Sequence, residues 1–198
     1  MTDDPNTGPG YGARALQDRF TDLYADGDPW RADSFYERRK RAVVLASLPQ
    51  EHYGTVFEPG CGAGELTLDL SARAEVVLAS DPVAVAVDRA VEATRDLPGV
   101  TVTVGALPDA VPDVRLDLAM FSEVLYYLDD ATVTATLDAT LAVTPSGADV
   151  VLVHWRGDAP EAPRDAEATY AMVAARPELE TIVAHVDEHF LLHVLRRA

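Results

Sequence analysis

Residues 54–70 read GTVFEPGCGAGELTLDL, and this stretch decides the fold. Thr55, Val56 and Phe57 form a short apolar run, Glu58-Pro59 closes it, and Gly60-x-Gly62-x-Gly64 follows. Leu66, Leu68 and Leu70 then open a helical pattern. The order is buried strand, glycine turn, helix. Glycines at such a turn adopt backbone angles closed to other residues and let a ligand touch the main chain. The helix that follows offers free N–H groups to an electron-rich ligand.

The same alternation continues downstream. Residues 75–80 (EVVLAS) are an apolar run ending in Asp81-Pro82, and 83–97 is helical. Strands are expected at 100–104 (VTVTV), 116–121 (LDLAMF) and 148–154 (ADVVLVH), with a helix over 130–143. A loop over 156–166 and a helix over 167–175 precede two β-rich segments, 181–186 and 190–195, that read as a hairpin. The pattern predicts an α/β fold: a doubly wound, mostly parallel, Rossmann-like sheet with a C-terminal antiparallel hairpin at one edge.

Upstream, residues 1–12 are rich in Gly, Pro and Asp and read as a disordered tail. Two helices are expected at 13–26 and 35–48, separated by Gly27-Asp28-Pro29, and together residues 13–48 form a helical cap. Residues 13–198 read as a single domain. The second helix carries an apolar face (Phe35, Val43, Val44, Ala46, Leu48) and a basic one (Arg38, Arg39, Lys40, Arg41). The basic face reads as a solvated surface balancing nearby acids.

Composition sets the bounds. The 198 residues suffice for one domain with a proper core. The formal net charge is −17, and Lys40 is the only lysine. No large basic surface can be assembled, so neither nucleic acid nor an anionic membrane is an expected partner. No apolar run reaches the roughly 18 residues of a membrane span. The first residues lack the apolar core of a secretory signal, and a cytoplasmic location is expected. The acid-rich, lysine-poor composition points to a halophile-like acidic proteome, where salt screens self-repulsion. Cys61 is the single cysteine, so no internal disulfide and no cysteine cluster form.

In a sheet of this kind ligands lie at the carboxyl ends of the strands. Those ends bring together the Gly60–Gly64 loop, Asp81, the 105–107 loop, Ser122-Glu123 and His154-Trp155. A dinucleotide fingerprint requires a third glycine at position 65, where this chain has Glu65. No arginine or lysine lies in the loop to meet a pyrophosphate. Glu58 suits a cationic ligand, and Asp81 can accept hydrogen bonds from ribose hydroxyls. A cofactor with a ribose, an ammonium and a sulfonium but no phosphates fits, which describes S-adenosylmethionine. The expected cofactor-binding residues are Glu58, Gly60, Cys61, Gly62, Gly64, Asp81, Pro82 and Ser122, with Ala106 and Leu107 at the adenine side.

EPGCGAGELT, the ASDP strand end and FSEVLYYL resemble the class I S-adenosylmethionine-dependent methyltransferases. DPW…FYERRKR…LP, GALPDAVP, SEVLYYL and VHWRG more narrowly resemble the nodulation protein S (NodS)-like branch. The resemblance covers roughly residues 16–166. It implies a seven-stranded sheet with its last strand antiparallel. It also implies methyl transfer to a small-molecule acceptor, an amine and, in founding members, that of an amino sugar. Many superfamily members have an acid at the adenine-side loop; here Gly105-Ala106-Leu107 leaves backbone groups and the Leu107 side chain for that contact.

An amine must be neutral to attack, so a nearby acid or histidine can take its proton. His154 is the first candidate for base or substrate orienter and Glu123 the second. A histidine bonded to a loop carbonyl and a structural carboxylate are the plainer readings of the same positions. Trp30, Tyr36 and Trp155 are expected as an aromatic lid, Tyr126 and Tyr127 as pocket walls, and Asp165 as a receiver for a cationic amine. His185, His189 and His193 recur every four residues, but on a hairpin they split across faces, so no metal site is expected. An O-methyltransferase and a non-catalytic cofactor-binding scaffold are the alternatives; an NAD-dependent oxidoreductase is disfavoured by Glu65.

Overall fold

The computed structural model describes residues 13–24, 27, 29–157, 159, 160 and 162–198, with side chains from residue 17 onward. The expected tail, residues 1–12, lies outside the described residues.

The described residues form six α-helices and seven strands, mostly in alternation. The cap holds α1 (Ala13–Tyr24) and α2 (Phe35–Ser47). Then come β1 (Tyr53–Pro59), α3 (Glu65–Ser71), β2 (Ala74–Asp81), α4 (Ala84–Thr94) and β3 (Val100–Val104). The second half runs β4 (Leu118–Ser122), a 3-10 turn (Leu125–Tyr127), α5 (Asp130–Val143), β5 (Asp149–Trp155), α6 (Ala166–Ala174), β6 (Leu179–Val186) and β7 (Phe190–Arg197).

The seven strands form one sheet in the order β3-β2-β1-β4-β5-β7-β6. The β1–β2, β1–β4, β2–β3 and β4–β5 pairs are parallel. Strand β7 runs antiparallel to both β5 and β6, so it slots between them. The chain order reverses at β1–β4, where the first half ends and the second begins. Ligands collect beside such a switch point.

Strand side chains alternate between faces, and both faces of this sheet are covered. Leu118 and Met120 of β4 and Val151 and Val153 of β5 join Val44, Leu48, Leu66 and Leu70 in one core layer. The intervening Ala119, Phe121, Val150 and Leu152 join Leu125, Val133, Leu137 and Val173 in the other. A strand buried on both sides needs apolar residues at every position, which is why β4 and β5 read as unbroken runs.

Helix starts follow local chemistry. The Ser34 side chain accepts from the Glu37 N–H, Asp129 from Thr132 and Asp165 from Ala168, each satisfying an otherwise orphaned donor. One expectation fails at α2. Phe35 is 74% exposed, whereas Lys40, assigned to the solvated face, is only 6% exposed. The helix is turned so that part of its basic stripe points inward.

Candidate active site

A cavity of about 1520 Å³ opens at the carboxyl ends of β1, β2 and β4, roofed by α1 and α2. It has two halves, one built of backbone and one of side chains.

The first half surrounds the glycine loop. Gly60 and Gly62 have φ of 72° and 56°, in the left-handed region open to glycine. The N–H groups of Gly60 and Cys61 donate to the Ser80 carbonyl, at 2.7 and 3.0 Å, which ties the loop to β2. The Asp81 carboxylate spans the join: one oxygen accepts from Gly62 N–H at 3.0 Å and the other from Val83 N–H at 2.9 Å. Each oxygen keeps a further lone pair for a ligand hydroxyl. Burial raises the Asp81 pKa, and the two backbone donors work against that.

Glu58 lies beneath the loop, only 2% exposed. Among the described residues its one hydrogen-bond donor is the Thr67 hydroxyl, at 2.6 Å. Burial pushes its pKa up to about 8 despite that bond. A buried carboxyl with so little compensation calls for a cation. The ammonium of an amino-acid cofactor supplies one, and this is the observation by which S-adenosylmethionine fits the site. Gly60, Cys61, Gly62, Asp81 and Pro82 line the cavity with Glu58, as do Ala106, Leu107 and Ser122. Gly64 does not line it. It sits at φ 94° where α3 meets α4, and a Cβ there would lie 3.1 Å from Ala90. Its task is helix packing.

The roof is pinned at this end. Gln17 on α1 donates to the Pro82 carbonyl at 2.6 Å. Arg89 of α4 donates to the Tyr24 and Gly27 carbonyls, at 2.9 and 2.7 Å, and packs on the Tyr24 ring. The Tyr24 hydroxyl hangs over Gly62, where a Cβ would meet it at 3.0 Å.

The second half is organised by Glu123, just past β4. Its φ of 56° is rare for a residue with a side chain and costs about 1–2 kcal/mol. Its carboxylate is heavily used. One oxygen accepts from Lys40 Nζ at 2.9 Å; the other accepts from the Tyr126 hydroxyl and the Trp155 N–H, both at 2.8 Å. Lys40 also donates to Glu37 at 3.0 Å, and its Nζ lies 5.2 Å from the Tyr36 ring centre. Burial opposes the Lys40 charge, but Glu123 and Glu37 outweigh it and hold the ammonium above its usual range. Burial likewise pushes the Tyr36 phenol up to about 12 and the Tyr126 phenol up as well.

The aromatic residues expected as one lid divide in two. Trp30 packs edge-on against Phe20 of α1, and Phe20 against Tyr127, at centroid distances of 5.9 and 5.1 Å. Tyr127 continues to Tyr126 at 4.4 Å. Tyr36 instead faces His189 and Phe190. Trp30, Tyr36, Tyr126, Tyr127 and Trp155 all line the cavity.

Besides Gly64, two residues read as site groups lie elsewhere. His154 is 1% exposed and sits behind the Tyr126 ring, 5.3 Å between centroids, not on the cavity wall. Its β5 position points it into the sheet's packed face. Burial lowers its pKa to about 4, and among the described residues its Nε2 has no hydrogen-bond partner. The enclosed imidazole packs behind Tyr126 rather than on the cavity wall. Asp165 caps α6 through Ala168 N–H and borders a smaller recess of about 340 Å³.

The reading of the sequence missed Lys40 and Glu37. The available signal was a lone lysine three residues from an acid in an otherwise arginine-only chain. Among the described residues, no group of three or more His, Cys, Asp or Glu is placed to hold a metal. No helix there is long and apolar enough to cross a membrane.

Residues 14–154 match the family model of nodulation protein S (NodS). The chain belongs to the NodS family. This is a family of class I S-adenosylmethionine-dependent methyltransferases, and the mostly parallel seven-stranded sheet with its antiparallel hairpin is the fold of that class. Nodulation protein S of Sinorhizobium fredii is 29% identical over 124 residues, 61% of this chain. The aligned segment spans 57% of that protein's length. A crystal structure of a candidate methyltransferase from Pseudomonas syringae is 36% identical and covers 83% of this chain and 100% of its own, with a TM-score of 0.73. N-methyltransferase NodS from Bradyrhizobium japonicum, solved with S-adenosylhomocysteine, has a TM-score of 0.79. It covers 92% of this chain and 97% of its own, and at 23% identity the likeness is one of fold.

Proposed function

We propose that this NodS-family protein transfers a methyl group from S-adenosylmethionine to the nitrogen of a small amine. One observation carries the choice of nitrogen. At the acceptor end of the cavity two carboxylates, Glu37 and Glu123, meet a single ammonium, Lys40. The excess negative charge favours an acceptor that arrives as an ammonium and disfavours one that arrives as an anion; the ammonium releases one proton to solvent, its freed lone pair takes the methyl, and S-adenosylhomocysteine leaves.

Bound S-adenosylmethionine brings an activated methyl on a sulfonium, and the protein's work is alignment and electrostatics. The loop from Gly60 to Gly62 and Asp81 hold the nucleoside end. Glu58 holds the amino-acid end. The roof of α1, pinned by Arg89 and Gln17, covers the nucleoside end. Tyr126 and Trp155, both fixed by Glu123, wall the acceptor side, and faces of this kind suit a sugar ring. A nitrogen acceptor agrees with the N-methyltransferase named among the similar structures.

Arg31, exposed on the cavity wall, favours a second reading, an O-methyltransferase acting on a carboxylate. Labelled-methyl transfer to a panel of amines, glucosamine oligomers and carboxylic acids decides between the two. The expected product carries the methyl on nitrogen; a methyl ester would overturn the amine reading.

A further inference from the structure

The Glu37–Lys40–Glu123 group holds an asymmetry that separates its two carboxylates. Glu123 is close to saturated. A carboxylate offers about four lone-pair positions, and three of them take Lys40, the Tyr126 hydroxyl and the Trp155 N–H. Moving that carboxylate would break two pocket walls at once. Glu37 is different. One of its oxygens takes Lys40, and among the described residues its other oxygen has no donor. Both side chains are largely enclosed, at 19% and 23% exposure, so water screens them poorly.

The helix start shows that Glu37 is placed for something other than capping. Ser34-x-x-Glu37 has the spacing of a capping box, in which the acid reaches back to the serine N–H. Here the Ser34 N–H bonds the Arg31 carbonyl at 2.7 Å, and Glu37 turns away to Lys40 on the cavity wall. Lys40 Nζ in turn has two of its three N–H donors directed at the two carboxylates, and it lies over the Tyr36 ring. The only lysine of the chain thus fixes Glu37 in place without neutralising the pair.

We propose that Glu37 is the residue that recognises the acceptor nitrogen. Its unengaged oxygen accepts an N–H of the amine, and Lys40 is the positioning residue that holds it there. Glu123 then shapes the pocket and takes no proton. This inference rests on the amine reading above, but it assigns recognition to a single atom.

Sinefungin, the analogue of S-adenosylmethionine with an amine in place of the methylsulfonium group, tests it without a known acceptor. Its affinity is compared with that of S-adenosylhomocysteine by calorimetry, for the full chain and for Glu37→Gln and Glu37→Asp. The wild type is expected to favour sinefungin by about tenfold. Glu37→Gln should lose most of that preference while holding S-adenosylhomocysteine within about twofold, and Glu37→Asp should retain part of it. An unchanged ratio in Glu37→Gln overturns the assignment. A parallel loss of both ligands overturns it too, because Glu37 would then merely support the roof. The acceptor panel is read separately. No transfer to nitrogen by the wild type would sink the amine reading, and a ratio moved by Glu37→Gln would still show a cation site at Glu37.

Discussion

The two halves of the cavity are made of different material. Around the glycine loop the contacts are local: Gly60, Cys61 and Gly62 bond to Ser80 and Asp81, all within 21 residues of one another. At the acceptor end Lys40, Glu123 and Trp155 meet across 83 and 32 residues. Backbone geometry fixes the first half, so its residue types are constrained one by one. Long side chains fix the second, so its chemistry can change while the sheet stays the same.

This contrast predicts that the halves fail differently. The largest effect is expected from Asp81→Ala, which removes the anchors of Gly62 and Val83 and a site for ribose hydroxyls. S-adenosylhomocysteine affinity, measured by calorimetry, should fall about 100-fold or more. Affinity within about threefold of wild type would show that the loop stands without its strand-end acid.

Glu123→Gln attacks the other half. Turnover of an accepted amine should drop by about 30-fold, because the link to Lys40 weakens and the Tyr126 and Trp155 walls loosen. Cofactor affinity should hold within about threefold. If both fell together, the cavity would be one cooperative unit.

Glu58 couples the loop to pH. Its folded pKa is about 8 against an ordinary 4.5. Between those values the unfolded chain has already lost the proton that the folded protein keeps. The unliganded protein therefore loses stability as pH rises through this window. A cofactor ammonium reverses the preference by favouring the ionised carboxylate. S-adenosylhomocysteine should bind about tenfold tighter at pH 7.5 than at pH 6.5, with release of a proton. Glu58→Gln should flatten that slope; a slope that persists places the proton elsewhere.

The smallest effect is expected at His154. Its folded pKa lies near 4, below the ordinary 6.5, so its contribution to stability is lost as pH falls through that window. His154→Phe should make the protein less acid-sensitive in thermal melts and leave turnover within about twofold. A turnover loss above tenfold would return the imidazole to the chemistry.

The same contrast explains what the sequence disclosed. Strand boundaries, the antiparallel end and the loop were legible because glycines, strand-end acids and apolar runs encode them over a few residues. Gly64 was misplaced because its left-handed angle serves helix packing, which a motif does not distinguish from ligand contact. The direction of the His154 side chain is not legible in the sequence because the β5 register depends on pairing with β4 and β7. The inward turn of Lys40 is not legible because four consecutive basic residues must wrap around a helix, and only packing decides which one is buried.

Lys40 has a practical consequence. With no other lysine in the chain and this one 6% exposed between two acids, the surface carries no lysine amine. Acylating reagents that decorate most proteins find almost nothing to react with here. Any acyl group that does appear at position 40 records an opening of the roof, so the protein carries its own single-site footprint for the motion that admits its ligands.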